Sequence, residues 1–279
     1  MADLIIIGGG PAGISAALYT VRAGFDVTVI DNGNSSLLKT ERIENYYGAN
    51  MSGEELYRYG IKQAKDLNVN VVCAEATKLD AAGGFTVETA DGKTFSSKAL
   101  LLATGTKRAM PNIKGIEKYI GKGVSFCAVC DAFFYRGKKV AIIGSGEYAK
   151  SEAEDLAVAK EIVHLLNGNK ALTEFCHPVI DKKIAEIKGD QKVSGVVFYD
   201  GSEIEVDGIF VAEGTAGGFE FAKKLGLLLD KNKIKTDDTS LLIPGLFAAG
   251  DCTTGDMQVA KAVEEGRVAA MKIIGFLRK

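Results

Sequence analysis

The N-terminal part of the chain alternates between apolar runs and an amphipathic stretch in the order strand, helix, strand. The apolar run Leu4–Ile7 is followed by apolar residues at helical spacing from Gly13 to Ala23 and by a second run over Asp26–Ile30. This switch from continuous apolar residues to a 3.6-residue period and back predicts a βαβ unit with two parallel strands.

A second segment in mid-chain has the same pattern. It predicts a strand over Lys139–Ile143, a helix to about Lys160 and a strand over Glu161–Leu166. The two units therefore resemble the halves of an internal duplication. The remaining pattern predicts a helix near Gly53–Leu67, a C-terminal helix from about Gln258, and strands near Val69–Cys73, Phe85–Thr89, Ala99–Ala103, Val193–Tyr199, Ile209–Ala212 and Gly245–Ala249.

Together these elements predict an α/β fold with two Rossmann-like nucleotide-binding domains. A length of 279 residues agrees with two domains of about 100–150 residues each. We expect the last strand and helix to return to the first domain, which then comprises residues 1–113 and 237–279. The second, shortened domain is the insertion over residues 114–236.

Composition narrows the class of protein. The formal net charge is −2, which argues against a general nucleic-acid binder, because such proteins are strongly basic. No apolar run approaches the roughly 18 residues of a membrane helix, and the apolar N-terminus lacks the basic residues of a signal peptide. The five cysteines do not form the framework of a secreted protein. We therefore expect a cytoplasmic protein without a membrane or nucleic-acid partner.

A glycine pattern, Gly8-x-Gly10-x-x-Gly13, lies between the first strand and its helix. In this context the glycines permit a tight turn, a close approach of the backbone to a pyrophosphate, and close packing of helix on strand. The helix N-terminus then faces the phosphates. Asp31 ends the second strand and can accept a hydrogen bond from a ribose hydroxyl. The unit predicts binding of a dinucleotide.

The segment Cys127-Ala128-Val129-Cys130-Asp131 contains the closely spaced cysteine pair of the sequence. Such a pair is a candidate for a redox dithiol, for half of a zinc site or for two small buried residues. Cys73, Cys176 and Cys252 are too scattered to complete a zinc site, so we expect no metal and favour the dithiol. Asp131 can exchange the proton that thiol–disulfide chemistry requires, or serve only as a helix N-cap.

The chain resembles the low-molecular-weight thioredoxin reductases, homodimeric flavoproteins, over nearly its whole length. The resemblance rests on Gly8-Gly9-Gly10-Pro11-Ala12-Gly13, Ile43-Glu44-Asn45-Tyr46, Ala103-Thr104-Gly105-Thr106, Cys127 to Asp131 with Phe133-Phe134, and Phe247-Ala248-Ala249-Gly250-Asp251. It implies that FAD is the cofactor and that thioredoxin is a partner. The implied FAD ligands are Gly8, Gly10, Pro11, Ala12, Gly13, Asp31, Asn45 and Gly250, with Thr104 and Gly105 on the adenosine side, Asp251 at the ribityl chain, and Gln258 and Val259 at the flavin ring.

The same resemblance assigns roles to the dithiol. It implies that Cys130 faces the flavin, that Cys127 attacks the disulfide of thioredoxin, and that Asp131 donates the proton. These roles come from the family, because the spacing does not rank the two sulfurs.

The second glycine unit departs from the family. Gly144, Gly146 and Ala149 match the turn that holds the pyrophosphate of NADPH. Glu147 and Tyr148 do not match it. A carboxylate at a helix N-terminus repels phosphate and stabilises the empty terminus instead.

Other departures surround the two nucleotide sites. His164-Leu165-Leu166 stands where NADPH-dependent relatives have a His-Arg-Arg cluster for the 2′-phosphate. An NAD site would need an acidic residue there instead. The loop Glu213-Gly214-Thr215-Ala216-Gly217-Gly218 differs from the family, as does Asn34-Ser35-Ser36-Leu37-Leu38, which frames the flavin in relatives.

These losses favour a resemblance to the flavin thioredoxin reductases that take electrons from reduced ferredoxin. Electrons would pass from ferredoxin to FAD, to the Cys127–Cys130 dithiol and to thioredoxin. An NAD(P)H-dependent reductase with an atypical nucleotide site stays open, as does a flavin-bearing redox-sensing subunit without turnover. An acidic ferredoxin needs a basic docking patch. Candidates are Lys107-Arg108, Lys138-Lys139, Lys182-Lys183 and Lys223-Lys224.

Overall fold

The computed structural model describes residues 1–105, 111–126, 128–213, 221–222, 224–227, 229–230, 233–236, 239 and 243–279, without the side chains of Val129, Cys130 and Asp230. In chain order these residues form β1 (Ala2–Ile7), α1 (Pro11–Arg22), β2 (Val27–Asp31), α2 (Gly53–Asp66), β3 (Asn70–Cys73), β4 (Ala76–Asp80), β5 (Phe85–Thr89), β6 (Thr94–Leu102), β7 (Val124–Ser125), α3 (Ala128–Asp131), β8 (Lys139–Ile143), α4 (Glu147–Asp155), β9 (Glu161–Leu165), β10 (Val179–Ile180), β11 (Ile184–Gly189), β12 (Val193–Phe198), β13 (Glu203–Glu205), β14 (Gly208–Val211), β15 (Leu229–Asp230), β16 (Lys233–Ile234), β17 (Leu246–Ala248) and α5 (Val259–Leu277).

The chain divides into two units. Unit 1 comprises Met1–Lys107 and Gly217–Lys279, and unit 2 comprises Arg108–Ala216. The hairpin of β15 and β16 belongs to unit 1, because the Ile234 amide donates to the Cys252 carbonyl at 2.8 Å. The sequence-based boundary near Thr236 would have assigned that hairpin to the inserted domain.

Unit 1 is built on a seven-stranded sheet with parallel neighbours in the order β3-β2-β1-β6, and β17 pairs in parallel with the C-terminal half of β6. The strands β4 and β5 extend it as an antiparallel hairpin beside the N-terminal half of β6. Helices α1 and α5 pack against each other, with Ala16 and Ala269 fully buried. Small residues at this contact allow the two helices to approach closely.

Unit 2 contains a second parallel sheet, in the order β10-β9-β8-β14-β7, and a separate antiparallel sheet of β11, β12 and β13. Helix α4 follows β8, as the βαβ pattern predicts. It ends at Asp155, earlier than the predicted Lys160, because a turn at Leu156–Ala159 intervenes before β9. Residues 166–178 join the parallel strands β9 and β10 without a helix.

The predicted α/β fold with two Rossmann-like domains is confirmed. Within the described part of the chain, every helix is too short or too polar to span a bilayer.

Candidate functional site

The first glycine turn is packed tightly against backbone carbonyl groups at two of its three glycines. Gly8 has φ of +111°, and a Cβ there would lie 2.3 Å from the Ala103 carbonyl oxygen. A Cβ at Gly13 would lie 1.9 Å from the Gly8 carbonyl oxygen. At Gly10 the nearest atom is the Ser35 Oγ at 3.8 Å, so this glycine borders open space. The turn has the form that a pyrophosphate requires, with tight packing behind and an open front.

The N-terminus of α1 is available to an anion. Gly10 is its N-cap residue and Pro11 its first residue, no side chain caps it, and its first turn has no acidic residue. Unsatisfied backbone amides and the helix dipole favour a phosphate at such a terminus. Ala12 lies against two other glycines, since a Cβ at Gly266 would meet the Ala12 carbonyl oxygen at 2.2 Å and one at Gly250 would meet the Ala12 Cβ at 2.8 Å.

Asp31 is a buried organiser of this turn. Its Oδ1 accepts from the Gly9 amide at 2.8 Å, and its Oδ2 accepts from the Gly33 amide at 3.3 Å and from the Tyr57 hydroxyl. Burial and the Asp31 carboxylate together raise the pKa of Tyr57 well above its usual range. The sequence places Asp31 correctly at the strand end. It gives no sign of Tyr57, because the contact joins β2 to the distant helix α2.

The turn at Gly250 and Asp251 is clamped by α5. Glu265 accepts from the Gly250 amide at 2.7 Å, and Lys261 Nζ donates to the Gly250 carbonyl at 3.1 Å. The Oδ1 atom of Asp251 is buried without a hydrogen-bond partner, and burial raises the pKa of this carboxyl. A buried, unpartnered carboxylate oxygen fits a ligand hydroxyl, which agrees with the predicted ribityl contact.

Three further predicted cofactor residues lie in unit 1 at defined places. Asn45 Nδ2 donates to Gln258 Oε1 at 3.0 Å, so the structure brings these two residues together. Val259 is the first residue of α5, directly after Gln258.

Thr104 and Gly105 follow the carboxyl end of β6. The Thr104 Cα lies 3.3 Å from the position of a Cβ on Gly8, and Gly105 has φ of +70°. Ligands of open α/β sheets bind at the carboxyl ends of the strands. The predicted adenosine-side residues therefore flank the first glycine turn.

The dithiol turn is supported from two sides within unit 2. Cys127 lies outside the described residues, and Cys130 is placed in the one-turn helix α3 by its backbone. Ser125 Oγ donates to Asp131 Oδ2 at 2.5 Å, and the Ala128 amide donates to Glu152 Oε2 at 2.8 Å. Sequence reasoning missed Ser125 and Glu152.

The second glycine turn keeps the packing of a nucleotide turn. A Cβ at Gly144 would lie 2.3 Å from the Ala212 carbonyl oxygen and 2.8 Å from the Ala149 Cβ. Its front is covered, however. The Leu172 amide donates to the Ser145 carbonyl at 2.7 Å, so the segment after β9 folds over the turn.

Glu147 is the first residue of α4, which places its carboxylate at the helix N-terminus. It accepts from the Thr173 hydroxyl and lies 3.9 Å from Lys150 Nζ. Tyr148 is buried beside it. A carboxylate at this end of the helix interacts favourably with the dipole and repels phosphate.

His164 lies inside β9, not at its end. It is buried against Phe175, with ring centroids 4.1 Å apart, and burial lowers its pKa to about 4. A neutral, buried imidazole is unsuited to gripping a phosphate. After the strand, Asn167 Oδ1 accepts from the Ile184 amide at 3.0 Å and its Nδ2 lies 3.5 Å from Glu213 Oε1.

Two loops differ in sequence from the family, and the structure describes the first of them, residues 34–38. Ser35 caps a short 3-10 turn by accepting from the Leu37 amide at 3.3 Å, and Leu37 is buried. Residues 214–218 of the other loop lie outside the described residues.

The basic pairs are engaged where they are described. Lys139 pairs with Glu161 at 2.7 Å, and Lys182 pairs with Asp200 at 2.7 Å. Residues 107, 108 and 223 lie outside the described residues.

The three cysteines outside the dithiol differ in their exposure to solvent, which chemical labelling can test. Cys73 and Cys176 are exposed, whereas Cys252 is buried and burial raises its pKa to about 11. Thiolates are the reactive form of cysteine, so the buried Cys252 thiol is expected to react more slowly than the two exposed thiols. We expect iodoacetamide to label Cys73 and Cys176 in the oxidised native protein and Cys252 only after unfolding, as read by peptide mass spectrometry. Labelling of all three at equal rates in the native protein would contradict the buried position of Cys252.

Comparison with known proteins agrees with this geometry. Residues 2–266 match the model of the pyridine nucleotide-disulphide oxidoreductases. The chain belongs to this family. A thioredoxin reductase of Aquifex aeolicus (strain VF5) is 33% identical over 99% of this chain and 93% of its own length. Family members bind FAD, so the predicted cofactor is confirmed.

Two solved structures of the family are similar in fold over the whole chain. The atypical thioredoxin reductase TRi from Desulfovibrio vulgaris Hildenborough has a TM-score of 0.93 and 36% identity, covering 100% of this chain and 98% of that one. A ferredoxin-flavin thioredoxin reductase from Clostridium acetobutylicum has a TM-score of 0.74 and 30% identity, covering 99% and 98%.

Proposed function

We propose that this flavoprotein is a thioredoxin reductase that takes its electrons from a reduced ferredoxin. The names of the relatives support reduction of thioredoxin, and one similar structure is of a ferredoxin-dependent enzyme. The observation that carries the choice of donor is the covered second glycine turn, where Glu147 stands at the helix N-terminus and Leu172 bonds to Ser145.

The residues that would hold FAD have complementary tasks. Gly10 and the amides at the start of α1 receive the pyrophosphate, Asp31 fixes the turn, and Asp251 offers its unpartnered oxygen to a hydroxyl of the ribityl chain. Bound FAD supplies the chemistry of accepting single electrons and passing on a pair.

The dithiol carries out the exchange with thioredoxin. The Cys127 thiolate attacks the thioredoxin disulfide, which forms a mixed disulfide and releases one thioredoxin thiolate. Cys130 then attacks the Cys127 sulfur, which releases the second thioredoxin thiolate and leaves a Cys127–Cys130 disulfide. Two electrons and two protons, drawn from two reduced ferredoxins and the solvent, return the pair to the dithiol. Asp131 is the proton donor closest in sequence to the pair.

An NAD(P)H-dependent reductase is the second candidate. The tight packing of Gly144 on Ala212 and Ala149 favours it, because a nucleotide turn needs the same packing. The two donors make opposite predictions for the isolated protein.

Anaerobic mixing of the holoprotein with each donor distinguishes them. We expect NADPH and NADH to leave the visible flavin absorbance unchanged, because Glu147 and the covering segment oppose a bound pyrophosphate. Reduced ferredoxin is expected to bleach the flavin and to produce two thioredoxin thiols per two ferredoxins oxidised. Ferredoxin with thioredoxin but without this protein is the control. Rapid bleaching by NADPH followed by thioredoxin reduction would overturn the ferredoxin donor.

We also propose the assembly and compartment that the resemblance implies, a cytoplasmic homodimer. Sedimentation of the holoprotein at micromolar concentration tests the dimer. A monomer under those conditions would contradict it.

A further inference from the structure

The carboxylate of Asp131 is aimed by a buried hydroxyl. Ser125 Oγ lies 2.5 Å from Asp131 Oδ2, and the hydroxyl is the donor if the carboxyl is ionised. Ser125 is 4% exposed. Its backbone is fixed in the sheet, because β7 pairs in parallel with β14 in the register of Ser125 with Phe210. The donor is therefore rigid, and a hydrogen bond to a charged acceptor is among the stronger ones.

The helix that carries Asp131 cannot orient it alone. Helix α3 spans Ala128–Asp131, a single turn, and helices of this length have no stability of their own. Its first amide is held by the buried Glu152 at 2.8 Å. The two contacts fix opposite ends of the turn, Glu152 at the start and Ser125 at the acidic side chain.

We propose that Ser125 is a positioning residue for the proton step of the dithiol. Its hydroxyl donates to Oδ2 of Asp131 and so leaves Oδ1 as the oxygen that carries the exchanged proton. Two electrons open the Cys127–Cys130 disulfide and leave two thiolates. The protonated carboxyl of Asp131 then gives its Oδ1 proton to one sulfur, and the resulting carboxylate takes a proton from the solvent. The inference rests on the proposed function, since it assumes Asp131 as the proton donor.

Three variants test it. Ser125→Ala removes the donor, Ser125→Thr keeps a hydroxyl at the site, and Ser151→Ala is the matched control. Ser151 is also buried in unit 2, and its hydroxyl has no hydrogen-bond partner in the described structure. We expect Ser125→Ala to lower kcat about tenfold with an unchanged KM for thioredoxin, because a misdirected acid loses part of its roughly 100-fold or larger contribution. Thermal unfolding of each variant shows whether it folds.

The pH dependence of kcat distinguishes a positioning role of Ser125 from a purely structural one. Loss of a hydrogen bond to the ionised carboxylate favours the protonated form. A group that must be protonated makes kcat fall as the pH rises through its pKa. We therefore expect the descending, alkaline limb of the kcat profile to move to higher pH in Ser125→Ala and to return in Ser125→Thr. Ser151→Ala is expected to keep the parent profile. An unchanged profile in a folded Ser125→Ala protein would overturn the proposal.

A second measurement does not depend on thioredoxin or on the physiological donor. The dithiol is reduced chemically, and its alkylation rate by iodoacetamide is followed against pH. The rate profile of Ser125→Ala is expected to differ from the parent, and adding Ser125→Ala to Asp131→Asn is expected to change nothing further. Additive effects of the two substitutions would overturn the role of Ser125. Failure of the parent protein to reduce thioredoxin would instead count against the proposed function and leave this comparison valid.

Discussion

Replacing Gly13 by alanine is expected to destabilise unit 1 and to abolish FAD binding. The new Cβ would lie 1.9 Å from the Gly8 carbonyl oxygen, a distance that no side-chain adjustment relieves because both partners are backbone. Strand β1 and helix α1 must separate to admit the methyl group. Overpacking of this kind costs about 1–3 kcal/mol and sometimes more. The measurements are the unfolding midpoint of the apoprotein and the FAD content after purification.

The matched variant is Gly10→Ala. Gly10 has φ of −76°, which alanine adopts freely, and the atom nearest to an added Cβ is the Ser35 Oγ at 3.8 Å. We expect the apoprotein to unfold at the parent temperature while the FAD dissociation constant rises about 5- to 100-fold, because the methyl group stands where the pyrophosphate approaches. Equal stability of the Gly13→Ala and parent apoproteins would contradict the steric argument. Parent-like FAD affinity in Gly10→Ala would contradict the placement of the pyrophosphate.

Serine at either position of the dithiol is expected to abolish turnover. The two variants are expected to differ in whether they form a covalent complex with thioredoxin. Cys130→Ser retains the attacking thiol but lacks the sulfur that resolves the mixed disulfide. It is therefore expected to accumulate a covalent complex with thioredoxin. Cys127→Ser cannot form that complex. Non-reducing gel electrophoresis and mass spectrometry of the two variants with oxidised thioredoxin give the result.

The control for this pair is Cys176→Ser, which removes an exposed thiol that is not part of the dithiol and is expected to keep full activity. A complex trapped by Cys127→Ser but not by Cys130→Ser would reverse the assignment of the two sulfurs. Undiminished physiological function of Cys127→Ser would favour the redox-sensing subunit instead.

The parts of the fold that depend on local patterns were predictable. The first βαβ unit is specified by continuous apolar runs around one amphipathic helix, and the tight positions Gly8 and Gly13 follow from the spacing alone. The strands β4, β11 and β13 were missed, because none of them shows a regular alternation of buried and exposed residues.

Contacts between distant segments were not predictable. Tyr57 binds Asp31 across 26 residues, and Glu265 holds Gly250 across 15. Ser125 is close to Asp131 in sequence, but its contact depends on β7 joining the sheet beside β14, which no local pattern indicates. Two parallel strands are usually joined through a helix, but residues 166–178 join β9 and β10 without one. The sequence of this connection has no periodicity from which its structure could be predicted.

The packing of Gly144 affects how reliably pyridine-nucleotide enzymes can be identified from the glycine motif in a sequence. A Cβ on Gly144 would meet the Ala212 carbonyl oxygen and the Ala149 methyl group, so the packing of this corner alone demands glycine at position 144. Under the proposed function, selection for a nucleotide could disappear while selection for a foldable strand–helix corner continued to preserve the motif. Counts of pyridine-nucleotide enzymes based on this motif would then include proteins fed by iron–sulfur donors. The acidic residue at the first position of the helix, Glu147 in this chain, is then more informative about the electron donor than the glycine motif.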